Sequence, residues 1–275
     1  MRQMNDKVLP SDFEGDMISC LEDLGIRSND HVYVTGNLAA LGRVRIRKEQ
    51  KKALLLRAFQ DTIGSNGTLF SPAASMNLCN TDVPFDLRMT PSHQMGAFAE
   101  YLRKNSEAER SLHPFWSVSG IGSEAHRLRK VSRHSYGAGS PWSMFLKLDV
   151  AQVNIGVHPS KAVTLIHHIE TTMGVPYRYT KEFMHPIRYS EDIIIEPYYM
   201  SVMYRDTDIQ KKALLNEHYF EALERKGLLL ESEHQSGLRF WSFKMRDFYE
   251  TVIEFFIDDM YTYLEQPPSI RPYTQ

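Results

Sequence analysis

The amino-acid sequence predicts a layered α/β fold. Short β-rich runs alternate with longer amphipathic ones. Turns rich in glycine and serine separate them, and no linker rich in Gly, Pro or Ser, internal repeat or low-complexity block divides the 275 residues. "HVYVT" (31–35) reads as the first strand, "KEQKKALLLRAFQDTI" (48–63) as a helix, and "GTLFSP" (67–72) as a strand delivered by the turn "GSNG". "SHQMGAFAEYLRKN" (92–105) has helical periodicity with Pro91 and Ser92 as its start signal. "FWSVSGIG" (115–122) is a strand running into a glycine turn, and "AQVNIGV" (151–157) is a buried strand. "VTLIHHIETTMGVPYR" (163–178) continues as a helix. Further on, "IQKKALLNEHYFEALERKG" (209–227) carries a long helical pattern closed by Gly227, and the run from Met245 to Leu264 lines up Phe248, Val252, Phe255 and Phe256 on one helical face. Residues 1–265 therefore read as one α/β domain with a helical C-terminal extension, and 266–275 as a loose tail.

Composition narrows the functional classes. A hydrophobic content of 42% with 14 Phe, 14 Tyr and 3 Trp is that of an ordered globular chain. No apolar run approaches the roughly 18 residues of a membrane helix, and the first residues lack a continuous apolar segment of the secretory kind, so no membrane association and a cytoplasmic location are expected. Cys20 and Cys79 are the only cysteines, which disfavours a metal cluster and a disulfide framework. A net charge of −2 gives no basic footprint for nucleic acid.

Within 163–178, two histidines and a glutamate sit in an apolar helical run. On a helix His167 and Glu170 are neighbours on one face, whereas His168 points about 100° away. A carboxylate beside an imidazole fixes one tautomer and stabilises the protonated ring, which makes the histidine an effective general base. Taken alone, the same spacing also serves as a helix cap or a surface ion pair.

Several separated segments carry a wider resemblance: "LGIRSNDHVYVTGNLAALG" (24–42), "GTLFSP", "ERSLHPFWSVSGIGSEA" (109–125), "GAGSPWSMFL" (137–146) and the 163–178 run. In this order they resemble the antibiotic N-acetyltransferase superfamily, whose named members are the aminoglycoside 3-N-acetyltransferases, over roughly residues 20 to 180. The family pattern Arg-Ser-x-His-Pro-x-x-Ser falls on Arg110, Ser111, His113, Pro114 and Ser117, and Thr-x-x-His-x-x-Glu falls on Thr164, His167 and Glu170. The resemblance implies a single α/β domain of the antibiotic N-acetyltransferase type. It also implies transfer of an acyl group from acyl-coenzyme A, acetyl or a longer or hydroxylated chain, to a sugar amine by direct attack, without metal. His167 would take the amine proton, Glu170 would orient the ring, and Thr164 would meet the thioester or the cofactor.

Where the family commonly has Val-His-Ser-Ser, this chain has Val34, Thr35, Gly36 and Asn37, so the framing Leu38, Leu41 and Gly42 are kept while the hydroxyls change. Thr35, Gly36 and Asn37 are the expected cofactor loop, joined by Arg110, Ser111, Ser117 and Ser140; the basic run Arg43, Arg45, Arg47, Lys48, Lys51 and Lys52 suits coenzyme A phosphates. His113, His158, Tyr177, Arg178 and His185 are the expected acceptor-binding residues. The near-neutral charge, with Arg88, Arg110, Arg178, Arg188 and the three proline-flanked histidines, favours a nucleotide-linked amino deoxysugar of cell-surface polysaccharide synthesis over a polycationic aminoglycoside, which is the alternative. Two other classes stay open. A metal-dependent hydrolase would ligate through His113, His158, His167 and Glu170, although no His-Glu-x-x-His is present; a non-catalytic binder would keep the fold without turnover. The expected partners are the acyl-coenzyme A and a small amino sugar, with homodimerisation left open.

Overall fold

The computed structural model describes residues 10–38, 46–205, 208–209 and 216–271. Its centre is a seven-stranded sheet. The strands are β1 (His31–Gly36), β2 (Thr68–Pro72), β4 (Glu109–Arg110), β5 (Val118–Gly122), β6 (Ala151–Ile155), β9 (Leu230–Glu233) and β10 (Arg239–Lys244), in the order β4-β5-β2-β1-β6-β10-β9. β1 runs parallel to β2 and β6, and the outer pairings are antiparallel.

Period-two alternation divides the core. Val32 and Val34 of β1, with Ala151, Val153 and Ile155 of β6, face a layer built from α1 (Pro10–Asp23), α2 (Lys48–Ile63) and α3 (Ala97–Arg103). Tyr33 faces the other way, into a core with α4 (Pro141–Lys147), α5 (Leu165–Met173), α6 (Glu217–Arg225) and α7 (Met245–Asp258). The result is an α/β/α sandwich with the C-terminal helix packed on α5 and α6. Phe248, Val252 and Phe256 of α7 are fully buried, as the helical stripe predicts.

A second sheet lies outside this sandwich: β3 (Phe85–Asp86), β7 (Arg178–Tyr189) and β8 (Asp192–Met203) in the order β3-β7-β8. Its inner face packs Phe85, Ile187, Tyr198 and Met200 against Phe115.

Three helical expectations shift. The helix expected at 92–105 begins at Ala97, because Gly96 takes φ +96°, and Ser92 instead donates to the Glu100 side chain from its backbone and hydroxyl. Within the pattern at 209–227, α6 begins at Glu217, after left-handed Asn216; residues 210–215 lie outside the described residues, as do Leu41, Gly42, Arg43 and Arg45. The helix read over 163–178 ends at Met173, where Gly174 takes φ +66° and turns the chain into β7. After Leu264 the chain stays anchored through Arg271: Ser269 Oγ and Ile270 N donate to Asp208, and the Arg271 guanidinium covers the Tyr261 ring.

Candidate active site

The parallel strands β2, β1 and β6 end on the same side of the sheet. At this switch point, with neighbours leaving β1 on both sides, an open α/β sheet forms a crevice beyond its strand ends. A cavity of about 430 Å³ opens there, lined by Thr35, Gly36 and Asn37 after β1, Pro72 at the end of β2, Val157 beyond β6, and Gln94, Met95, Gly96, Trp116, Lys161, Ala162 and Thr164.

The wall carrying Lys161, Ala162 and Thr164 is held from below. Gln152 and Asn154 are buried on one face of β6; Gln152 Nε2 donates to Asn154 Oδ1 at 2.8 Å and to the Ala162 carbonyl at 2.9 Å. Asn154 Nδ2 reaches the same carbonyl at 3.3 Å. His158 caps the 3-10 turn Pro159–Lys161, its Nδ1 accepting from Ser160 N at 3.3 Å, and its ring is edge-on to Phe220 and Trp241.

Thr164 occupies the N-cap of α5, yet its hydroxyl does not cap the helix. One turn on, His167 Nδ1 lies 2.7 Å from Glu170 Oε2. Glu170 is fully buried and the His167 side chain is 25% exposed, so a buried anion backs a ring that reaches the surface. Because Oε2 is an acceptor, the proton between them sits on Nδ1, and Nε2 is the basic nitrogen of the neutral ring.

The chain reversal at Gly174 returns Tyr177 and Arg178 to the same carboxylate. Tyr177 Oη donates to Oε1 at 2.8 Å. Arg178 Nε stands 2.9 Å from Oε2 but its N–H is not aimed at the oxygen, so the contact is an ion pair rather than a directed hydrogen bond. Burial is the largest single influence on the Glu170 carboxyl and opposes ionisation. The hydrogen bond from His167, with the charge of that ring whenever it is protonated, the Arg178 cation and the Tyr177 hydroxyl together outweigh it and hold the carboxyl below the ordinary carboxylate range.

Tyr136 and Tyr263 stand edge-on to the imidazole at 5.3 and 6.1 Å, and Trp116 packs on Tyr136 at 5.8 Å, joining the cavity wall to the histidine's surroundings. Sequence reading missed these three aromatics. They come from three distant segments, and no local spacing signals them. Gln152 and Asn154 were legible as two polar residues on one face of an otherwise apolar strand.

The other expected site residues separate by geometry. Tyr177 and Arg178, expected to touch the acceptor, are engaged with Glu170. Thr35, Gly36 and Asn37 line the cavity. Arg110 is buried: Nε donates to Ser117 Oγ, Nη1 to the Thr90 and Leu87 carbonyls, and Nη2 to the Ala73 carbonyl and Ser75 Oγ. All five of its N–H groups are therefore occupied by the protein itself. Ser117 Oγ donates to Ala73 O at 2.7 Å, and Ser111 Oγ accepts from Val118 N at 2.9 Å. These three expected cofactor residues instead tie β4 and β5 to the β2 exit. Ser140 is buried at the N-cap of α4.

His113 is buried as well, with Nδ1 accepting from Trp116 N at 3.0 Å and Phe115 N at 3.3 Å. Burial lowers its pKa to about 4, and the ring is neutral at physiological pH. His185 is buried in β7, edge-on to Phe115 at 5.0 Å. Neither histidine lines the cavity. Of the four residues weighed as metal ligands only His167 and Glu170 meet, and among the described residues no group of three or more His, Cys, Asp or Glu side chains is placed to hold a metal ion. Among the same residues, no helix is long and apolar enough to cross a membrane.

The fold and site define a class: a three-layer α/β protein with a carboxylate-backed histidine at the exit of its parallel strands. The chain belongs to the aminoglycoside 3-N-acetyltransferase family, whose model matches residues 34–257. It is 26% identical over 194 residues to aminoglycoside N(3)-acetyltransferase VII of Streptomyces paromomycinus, a match covering 61% of this chain and 63% of that protein. Among solved structures it is similar to aminoglycoside acetyltransferase AAC(3)-Xa, with a TM-score of 0.77 and 19% identity over 90% of this chain and 93% of the other. It is also similar to the YokD protein of Bacillus subtilis, with a TM-score of 0.72 and 17% identity over 90% and 99% of the two chains.

Proposed function

We propose that this chain is an acyl-coenzyme A-dependent N-acyltransferase that acylates an amine of an aminoglycoside-type amino sugar. The observation that carries the reading is the His167–Glu170 contact at 2.7 Å, one helical turn from Thr164 on the wall of the strand-end cavity and on the residues where the family motif falls. A sugar ammonium becomes nucleophilic only when it loses a proton. His167 Nε2 accepts that proton as the amine attacks the thioester carbonyl, and buried Glu170 offsets the charge appearing on the ring, a contribution of about 10²- to 10⁴-fold for the proton transfer. The tetrahedral intermediate collapses with loss of the coenzyme A thiolate, leaving the amide. Thr164, which lines the cavity and whose hydroxyl is not used for capping, meets the thioester oxygen or the pantetheine in this reading. Thr35 and Asn37 supply further polar groups to the cavity lining, and Lys161 supplies a cation for coenzyme A phosphate.

The acceptor class follows the Streptomyces paromomycinus relative and AAC(3)-Xa, which are aminoglycoside acetyltransferases by name. The case for a nucleotide-linked amino deoxysugar rested on cationic groups for a diphosphate. Arg110 and Arg178 are engaged inside the protein, and His113 and His185 are buried. That case is correspondingly weakened. Free-thiol release is to be followed with acetyl- and longer acyl-coenzyme A against two acceptor panels, gentamicin-type aminoglycosides and nucleotide-linked 3-amino and 4-amino deoxysugars. Turnover on the first panel is expected; turnover confined to the second would overturn the acceptor assignment, and none on either panel would overturn the enzyme reading.

A further inference from the structure

Arg178 shares an oxygen of Glu170 with the histidine. We propose that Arg178 is a positioning residue that keeps His167 in its neutral, proton-accepting form by competing with it for the Glu170 charge. The functional consequence rests on the acyl-transfer reading above, whereas the electrostatic part does not.

A histidine hydrogen-bonded to a buried carboxylate alone is stabilised as imidazolium, and an imidazolium cannot take a proton from an ammonium. Here the carboxylate is already neutralised. The Arg178 side chain is only 9% exposed, its Nε is 2.9 Å from Oε2, and its Nη2 is 3.2 Å from His167 Nδ1. Protonating His167 therefore places a second cation against the first in a largely dry setting, where their repulsion opposes the attraction of Glu170. The unaimed Nε–H fits this role, since Arg178 acts on Oε2 by its charge while the directed bond to that oxygen comes from His167.

Two contacts hold the guanidinium in place. Nη1 donates to the Ser201 carbonyl of β8 at 3.2 Å, and the turn closed by Gly174 brings Arg178 back under α5. Four other titratable side chains near the ring are accounted for by their own surroundings. Tyr136 and Tyr263 are buried, which raises their hydroxyls and leaves both neutral, Tyr177 reaches the far oxygen of Glu170, and His168 of the same helix is turned to the Tyr136 carbonyl.

The test is the titration of the His167 ring by NMR, assigned by its loss in His167→Gln and read alongside the acid limb of kcat/KM for acyl transfer. Arg178→Gln should raise the His167 midpoint by about one pH unit and move the acid limb upward with it. Arg178→Lys, which keeps the charge, should restore at least half of that shift. Because Arg178→Gln leaves Glu170 with fewer partners, the comparison is repeated in the Glu170→Gln background, where the double variant buries no unpaired charge. There, too, adding Arg178→Gln should raise the midpoint. An unchanged or lowered midpoint in every folded Arg178→Gln protein would overturn the proposal. A raised midpoint in a protein that transfers no acyl group would leave the electrostatic role standing and contradict the enzyme reading instead.

Discussion

Tyr177 and Glu170 are seven residues apart in the chain and joined by a 2.8 Å hydrogen bond in the protein's interior. The bond closes the turn between α5 and β7 and satisfies the carboxylate oxygen that His167 does not use. Tyr177→Phe should leave that oxygen buried without a donor, at a cost of about 1 to 3 kcal/mol. Thermal unfolding should register this as a fall of about 2–4 °C per kcal/mol in a chain of this size. Acyl-transfer kcat should fall by less than about tenfold, because the His167 contact survives.

Gly36 has an architectural task. It takes φ +144°, and a Cβ there would stand 2.2 Å from the Ile155 carbonyl oxygen on the neighbouring strand. The sequence places Gly36 in the expected cofactor loop, where a substitution would raise the KM for acyl-coenzyme A. Gly36→Val should instead damage the β1–β6 pairing, giving a markedly lower melting temperature or insoluble protein. A stable Gly36→Val enzyme with only a raised coenzyme A KM would contradict this.

His113 ties stability to pH. Its folded-state pKa is about 4 against an ordinary value of 6.5, so between those values the unfolded chain binds a proton that the folded protein excludes. Folding stability from this residue is therefore intact above pH 6.5 and declines as pH falls towards 4, by an amount on the order of 3 kcal/mol. Denaturant titrations between pH 7 and 5 should show a slope that flattens by about one proton in His113→Asn, whose amide oxygen can still accept from Phe115 and Trp116.

Arg110 tests the assignment of the Arg-Ser-x-His-Pro segment to structure. A lysine cannot supply five donors in a planar fork. Arg110→Lys should destabilise the protein by about 3 kcal/mol or more, since buried carbonyls lose their partners. The folded fraction should bind acetyl-coenzyme A with unchanged Kd in calorimetric titration.

The sandwich was legible in the sequence where local patterns agree with burial. The alternation of Val32, Tyr33 and Val34, the helix over 48–63 and the apolar stripe of α7 are as the sequence predicts. The β7–β8 hairpin was not. Its Ile, Tyr and Val residues favour strands, but Pro186 and Pro197 interrupt them, and Ile193, Ile194 and Ile195 remain about half exposed or more, so no clean alternation marks it. In the site, the His167–Glu170 pair follows from helical spacing alone. The engagement of Tyr177 and Arg178 depends on a left-handed turn at Gly174 that sequence reading had placed inside the helix. His113, Arg110 and Ser117 carry motif-like spacing because one local web of buried hydrogen bonds requires it, and spacing does not distinguish such a web from a ligand site.

The central claim is that His167 acts as the base in acyl transfer, and one variant addresses it most directly. With an acceptor verified for the wild-type protein, kcat by thiol release and Kd for acetyl-coenzyme A by calorimetry are to be measured for His167→Ala. A general base acts on the transition state, so kcat should fall by about 10²- to 10⁴-fold while Kd stays within about twofold. A kcat close to the wild-type value in correctly folded His167→Ala would contradict the account.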